Sequence, residues 1–256
     1  MSAAAQSATP AAPPRAEGGR SPGRPRLLVV IPAFNEGGRI GAVVAKVRGE
    51  VAGEVLVVDD GSTDATAAEA RAAGAIVATH ANNLGYGSAL QTGYRYALRH
   101  GFDRVLQMDA DGQHDPSSIR DLVAALDAGA DVVVGSRFLD RGSYRPPLLR
   151  RLGMAIFGTV ASYYAGMPLT DPTSGYQGLS RRALAFYAHE RYPHDYPDAD
   201  VLAMVARVGL RLAEVPARMH GSPGGKSMHA GLVKPLYYVF RMSLALALVP
   251  LRKEKP

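Results

Sequence analysis

Residues 27–64 read LLVVIPAFNEGGRIGAVVAKVRGEVAGEVLVVDDGSTD. Two short runs, LLVVI (27–31) and VLVVD (55–59), flank a helical stretch, GGRIGAVVAKVRG. The runs are continuously apolar rather than alternating with polar residues, which is the pattern of strands covered on both faces. Strand, helix, strand in that order predicts a parallel pair joined by a right-handed crossover. The alternation continues through AIVAT (75–79), RVLQM (104–108) and DVVVG (131–135), separated by TDATAAEARAAG, GYGSALQTGYRYALRHG and PSSIRDLVAALDAG. The expectation is an α/β fold with a mostly parallel central sheet flanked by helices.

Ligands of such sheets bind beyond the carboxyl ends of the strands, so the residues after each run are the ones to inspect. PAFNEG (32–37) follows the first run, DGSTD (60–64) the second, DADGQHD (109–115) the fourth and SRF (136–138) the fifth. These polar and acidic segments are expected to converge on one edge. After about residue 140 the alternation stops. A long helix-like stretch leads to DPTSGYQG (171–178), then YPDADVLAMVARVG (196–209), a strand-like LRLAEVPARMH (210–220) and the loop GSPGGKS (221–227). This half reads as an elaboration of the same domain.

The 256 residues suffice for one α/β domain with a full core and are short for two. Without cysteine there are no disulfides and no thiolate metal sites, which fits a reducing compartment. The net charge of +6 suits an anionic partner without choosing among nucleotide phosphates, acidic lipid and nucleic acid. Part of that charge lies in the tails, so nucleic-acid binding is not expected. Residues 1–26 hold no Val, Ile, Leu or aromatic residue and five of the 18 prolines, and read as a disordered tail. No stretch reaches 18 uncharged apolar residues. LGMAIFGTVASYYAGMPL (152–169) and LVKPLYYVFRMSLALALVPLRKEK (232–255) come near; each reads as core, or as an apolar surface for lipid and an interfacial helix respectively.

No G-x-G-x-x-G follows the first strand, so dinucleotide binding by that route is not expected. GSPGGKS fails as a P-loop, because counting back from Gly225 places His220 where the first glycine belongs. Asp109 and Asp111 are two apart, and in extended chain their side chains share a side. Their mutual repulsion is relieved by a divalent cation, for which oxygen ligands suit Mg2+ or Mn2+ with substrate phosphate oxygens completing the shell. Ala110 between them leaves room for a nucleotide. Asp115, before Pro116, reads as a helix cap, as does Asp64 or Ser62. Asp59 and Asp60 are candidates for hydrogen bonds to a base or ribose, and Asn35 and Glu36 fit the same crevice.

VVIPAFNE, VVDDGSTD, NLGYGSALQTG, MDADGQHDP, GSRF, DPTSGYQG and VPARMHGSPGGKS together resemble glycosyltransferase family 2, and most resemble its dolichol-phosphate mannosyltransferase and polyprenyl-phosphate glycosyltransferase branch. The match runs from about Arg26 to Met228 with the motifs in the family's order. The resemblance implies a GT-A fold over 27–228, a nucleotide-sugar donor, a divalent metal and inversion at the anomeric carbon. It implies that Pro32, Ala33, Phe34, Asn35 and Glu36 line the nucleotide pocket with Asp60. It implies that Asp109, Ala110 and Asp111 meet the diphosphate, and that Asp111 and Gln113 join Asp109 around the metal. Arg137, Arg218 and Lys226 take the place of phosphate contacts.

The implied reaction moves a hexose from a GDP-mannose or UDP-glucose type donor to a polyprenyl or dolichyl phosphate. A phosphate acceptor is already largely ionised, its second pKa being roughly 6, whereas a hydroxyl acceptor needs a general base. Asp200 or Asp198 in YPDAD, or Asp171 in DPTSG, would serve; family members acting on hydroxyls use an acid from the YPDAD region, which favours Asp200. Asp171 reads equally as a turn cap before Pro172. Many relatives of this branch carry membrane anchors. Here one amphipathic stretch, 229–256, ends the chain, so peripheral docking at the cytoplasmic face of a membrane is expected. A sugar-1-phosphate nucleotidyltransferase is the alternative of another class, but PAFNEGG is a poor glycine-rich nucleotide loop. The sequence is silent on the oligomeric state.

Overall fold

The computed structural model describes residues 25–139, 158–189, 192–193 and 199–220, together with positions 244 and 248. The elements in chain order are β1 (Leu27–Ala33), α1 (Ile40–Glu50), β2 (Glu54–Asp59), α2 (Thr66–Ala72), β3 (Ile76–Thr79), α3 (Tyr86–Arg99) and β4 (Arg104–Gln107). A 3-10 turn (Pro116–Ser118) then leads into α4 (Ile119–Asp127), followed by β5 (Val132–Ser136). Residues 158–165 form α5. Then come β6 (Gln177–Ser180), α6 (Arg181–Tyr187), α7 (Ala199–Arg207) and β7 (Leu212–Pro216).

The strands form one seven-stranded sheet in the order β3-β2-β1-β4-β6-β5-β7. β1 pairs in parallel with β2 and β4, β2 with β3, and β5 with β7. β6 runs antiparallel to both of its neighbours, β4 and β5. Two reversals cancel, so β5 still points the same way as β1, β2 and β4. Their carboxyl ends share one edge, as the alternation of runs and helices predicts.

The continuous apolar runs have the two-sided burial they imply. Leu28 and Val30 of β1 face a core built with α3, α6 and α7, whereas Val29 and Ile31 face a second core built with α1 and α4. On the first face α3 lies so close that a Cβ at Gly93 would sit 2.3 Å from Val30 Cγ1.

β6 has no apolar run, which is why the sequence does not announce it. Its first residue, Gln177, pairs in register with Gln107 of β4, and both are buried. A buried amide is tolerable when its hydrogen bonds are made. The Tyr94 hydroxyl donates to Gln107 Oε1, and Gln177 Nε2 donates to the Ser174 carbonyl at 3.0 Å. Ser180 then caps α6 by accepting from the Ala183 N–H.

Two expectations change. In the apolar stretch 152–169, the described part packs as core: Ala161 and Leu169 are buried, with Val160, Tyr164 and Met167 against them. It is therefore not a free surface for a lipid chain, although Tyr163 stands exposed. Arg26, placed in the tail by composition, belongs to the domain. Its carbonyl accepts from the Asp103 and Arg104 N–H groups, its guanidinium pairs with Glu54 at 2.8 Å, and it lies over the Phe102 ring. The rest of the tail to residue 24 and the helix expected over 229–256 lie outside the described residues, except that Leu244 and Leu248 are helical and exposed. Among the described residues no helix is long and apolar enough to cross a membrane.

Candidate active site

The loop after β1 is held by the loop after β2. Asn35 takes φ 54°, a left-handed conformation that asparagine tolerates better than most residues. Its N–H donates to Ser62 Oγ at 2.9 Å, and its Oδ1 accepts from the Thr63 N–H at 3.0 Å. The Glu36 and Gly37 N–H groups donate to Thr66 Oγ1 and Asp64 Oδ2. A hydrogen bond from the Thr66 side chain, with backbone donors, holds the Asp64 carboxyl below its ordinary pKa. Asp64 is therefore the anchor it reads as. Pro32 and Ala33 are buried beneath this crossing, and Phe34 is 46% exposed above it.

Asp59 and Asp60 close β2. Asp59 accepts from the Ser62 N–H at 3.1 Å. Asp60, only 3% exposed, accepts from the Leu84 and Gly85 N–H groups at 2.9 Å each and meets His80 Nδ1 at 2.7 Å. Asp60 thereby clamps the chain entering α3. It acts as a cap supplied from another element, because Gly85 at the helix start has no side chain to do so.

The acidic loop after β4 is supported from three sides. Tyr86, the first residue of α3, donates its hydroxyl proton to Asp109 Oδ1 at 2.8 Å. His114 is buried and stacks on Tyr176 with ring centroids 4.7 Å apart. Its Nδ1 accepts the Asp109 N–H at 3.1 Å, so in the neutral ring the proton sits on Nε2, 3.9 Å from Asp109 Oδ2. Asp111 accepts from the Gln113 N–H at 2.9 Å, and Ala110 between the acids is buried. Burial first, then the Asp109 charge, push the Asp111 carboxyl above its ordinary pKa, against the Gln113 hydrogen bond that lowers it. Glu36 is raised too, by burial, then by Asp111, Asp64 and Asp109, against the opposing charge of Arg39. The negative charge gathered around Asp111 and Asp109 fits a divalent cation, which would remove the repulsion. Among the described residues no third His, Cys, Asp or Glu completes a metal-binding group. Asp109 and Asp111 would thus hold a cation together with neutral or substrate oxygens, the part expected of Gln113.

The segment after β7 zips onto this loop. The Asp115 N–H donates to the Arg218 carbonyl at 3.1 Å, the His220 N–H to the Gln113 carbonyl at 2.7 Å, and His114 bridges Met219. Arg218 is thereby carried to the rim, exposed. Against the effect of burial, hydrogen bonds from Ser117, then the charges of His220 and Arg218, hold the Asp115 carboxyl below its ordinary pKa. Asp115 itself caps the 3-10 turn through the Ser117 N–H, as expected. A cavity of about 450 Å³ opens beside Asp111 under α1. Its lining includes the basic Arg39, Lys46 and His220 and the acidic Glu50, Asp111 and Asp115.

Two residues given roles from the sequence are buried against each other. Asp171 is 0% exposed and forms a bidentate pair with Arg137, both contacts at 2.6 Å, while also accepting the Arg137 N–H at 3.0 Å. A general base must reach the acceptor's proton, and this carboxylate is committed elsewhere. Arg137 is equally committed, with Thr173 Oγ1 as a further partner, and serves as the internal counter-ion instead of an open phosphate contact. Glu214 of β7 fastens the arrangement by accepting the Thr170 and Asp171 N–H groups. Asp200 stands in the first turn of α7 at 3% exposure, and its charge raises the Tyr187 pKa behind the burial of that ring and the influence of Tyr94. Lys226 and Asp198 lie outside the described residues.

Tyr86, His114 and Gly175 went unassigned in the sequence although each sits in a quoted motif. Tyr86 had a signal: it opens the helix after β3, and β3 ends at the same edge as the acidic loop.

The family model described as "Glycosyl transferase family 2" matches residues 28–187. The chain is 35% identical over 167 residues to a polyprenol monophosphomannose synthase of Mycolicibacterium smegmatis, covering 62% of this chain and 63% of that one. It is 33% identical over 216 residues to an undecaprenyl-phosphate mannosyltransferase of Micrococcus luteus, covering 80% and 88%. Among solved structures it resembles glucosyl-3-phosphoglycerate synthase from Mycobacterium tuberculosis, crystallised with Mn2+, uridine diphosphate and phosphoglyceric acid. The TM-score there is 0.59 at 21% identity, covering 88% of this chain and 78% of that one.

Proposed function

This chain belongs to glycosyl transferase family 2, and we propose that it transfers a hexose, with inversion, from a nucleotide sugar to a polyprenyl phosphate at the cytoplasmic face of a membrane. The observation that carries the donor side is the pair Asp109 and Asp111 in the loop after β4 at the carboxyl edge, held by the Tyr86 hydroxyl and the Gln113 N–H. The names of the mannosyltransferase relatives support a lipid-phosphate acceptor.

Mg2+ or Mn2+, held by Asp109 and Asp111 with Gln113, would supply positive charge against the leaving nucleoside diphosphate. The protein's own residues do the rest. The crossed loops of Asn35 and Thr63 shape the crevice for the nucleoside, buried Ala110 keeps the acidic loop narrow, and Arg218 stands at the rim where an anionic acceptor arrives. The committed state of Asp171 also bears on the acceptor. A lipid phosphate brings an ionised oxygen and needs no base, so the loss of that candidate costs the reaction nothing. A hydroxyl acceptor would leave the demand on Asp200, which is buried, or on Asp198. Docking at the membrane would be peripheral, through the chain beyond residue 228.

The test is a panel of GDP-mannose and UDP-glucose with Mn2+ or Mg2+ and a short polyprenyl phosphate. The nucleoside diphosphate released names the donor. Release that needs a hydroxyl acceptor and ignores the lipid phosphate would overturn the acceptor assignment.

A further inference from the structure

Three motifs meet at one carboxylate. Tyr86, from NLGYG, donates to Asp109 Oδ1 at 2.8 Å. Asp109, from DADGQHD, is the acid nearest the sheet. Gly175, from DPTSGYQG, passes so close that a Cβ there would lie 3.0 Å from the Tyr86 hydroxyl and 3.3 Å from both Asp109 oxygens. Gly175 does not take a left-handed φ, so its lack of a side chain answers a need for space and not a backbone constraint.

The support behind Tyr86 is rigid. Its ring packs against the main core, and the chain entering α3 immediately before it is clamped by Asp60 through the Leu84 and Gly85 N–H groups. The hydroxyl is thus delivered to Asp109 by a fixed backbone. A carboxylate that accepts a hydrogen bond on one oxygen loses its freedom to rotate and presents the other in a set direction.

We propose that Tyr86 is a positioning residue for Asp109, orienting that carboxylate for the divalent cation and donor diphosphate, and that Gly175 is the clearance this pair requires. The proposal rests on the metal and nucleotide-sugar reading above. It also links the second strand's loop to the fourth strand's loop: Asp60 sets the start of α3, α3 sets Tyr86, and Tyr86 sets Asp109.

The experiment measures binding of Mn2+ with GDP, and in parallel with UDP, by titration calorimetry, alongside the melting temperature of each metal-free protein. Tyr86→Phe keeps the ring and removes only the hydroxyl. It should weaken Mn2+-dependent nucleotide binding roughly tenfold or more, the usual effect of removing a group that orients a metal-binding side chain, with little change in melting temperature. Gly175→Ala should weaken binding as well, and its effect should be smaller in the Tyr86→Phe background, where the hydroxyl it crowds is gone. Asp109→Asn is the reference. If Asp109→Asn loses binding while Tyr86→Phe keeps it and only melts earlier, Tyr86 is an anchor for α3 and the positioning proposal fails alone. Unchanged Mn2+-dependent binding in Asp109→Asn would overturn the metal reading and the proposal with it, as would the absence of Mn2+-dependent binding of either nucleotide to the unaltered protein.

Discussion

At the scale of single residues, Asp111 is the acid whose charge the fold opposes. Asp111 is raised by burial and by Asp109, so in the metal-free fold its charged form is disfavoured. A group raised in the folded state weakens the fold once pH passes above its unfolded value. Asp111→Asn should therefore raise the melting temperature of the metal-free protein at neutral pH. The same substitution should lower turnover by roughly 10²-fold or more, since charge stabilisation of the leaving group goes with the ligand. A variant that melts lower and turns over normally would contradict both halves. Asn35 poses a different case, because its left-handed backbone and its side-chain bond to Thr63 contribute separately. Asn35→Gly keeps the backbone conformation, whereas Asn35→Ala loses the bond and also places a methyl group in a conformation that costs about 1–2 kcal/mol. Thermal melts should rank the alanine variant below the glycine variant.

Between elements, close approach and buried charge do the work. α3 sits on β1 only because Gly93 has no side chain, and a Cβ would fall 2.3 Å from a Val30 methyl group. Gly93→Ala should cost about 1–3 kcal/mol as an overpacked core site, read as a lower denaturant midpoint. The loop between α5 and β6 is tied to the residue after β5 by the Arg137–Asp171 pair, in which Asp171 is fully buried and Arg137 nearly so. Breaking a buried pair from one side strands the other charge at about 3–5 kcal/mol. Asp171→Ala should thus show a large fall in stability, with turnover per folded molecule reduced far less than the roughly 10²–10⁴-fold expected for a lost general base. The opposite pattern, a stable fold with little turnover, would restore Asp171 to catalysis.

Across the whole molecule, Arg26 is bonded into the domain. Removing residues 1–24 takes no Val, Ile, Leu or aromatic side chain and should leave the melting temperature unchanged. Extending the deletion through Arg26 removes its bonds to Asp103, His100 and Glu54 and should lower it measurably. Equal melts for the two truncations would show that those contacts contribute nothing. The sequence by itself determined the parallel α/β sheet, because continuous apolar runs admit few arrangements other than strands buried on both faces. It also determined that the loops after β1, β2, β4 and β5 share one edge, because strand direction sends them there, and it placed Asp64 and Asp115 as caps from local spacing alone. Only the tertiary structure decided which acids are available. Asp60, Asp109, Asp111 and Asp171 look alike in sequence, yet burial and partners distant along the chain separate them: His80 and the α3 entry take Asp60, Arg137 takes Asp171, and Tyr86 orients Asp109. β6 was likewise hidden, since Gln177 and its β4 partner Gln107 become tolerable in a sheet interior only when Ser174 and Tyr94, far apart in the chain, meet their hydrogen-bonding groups.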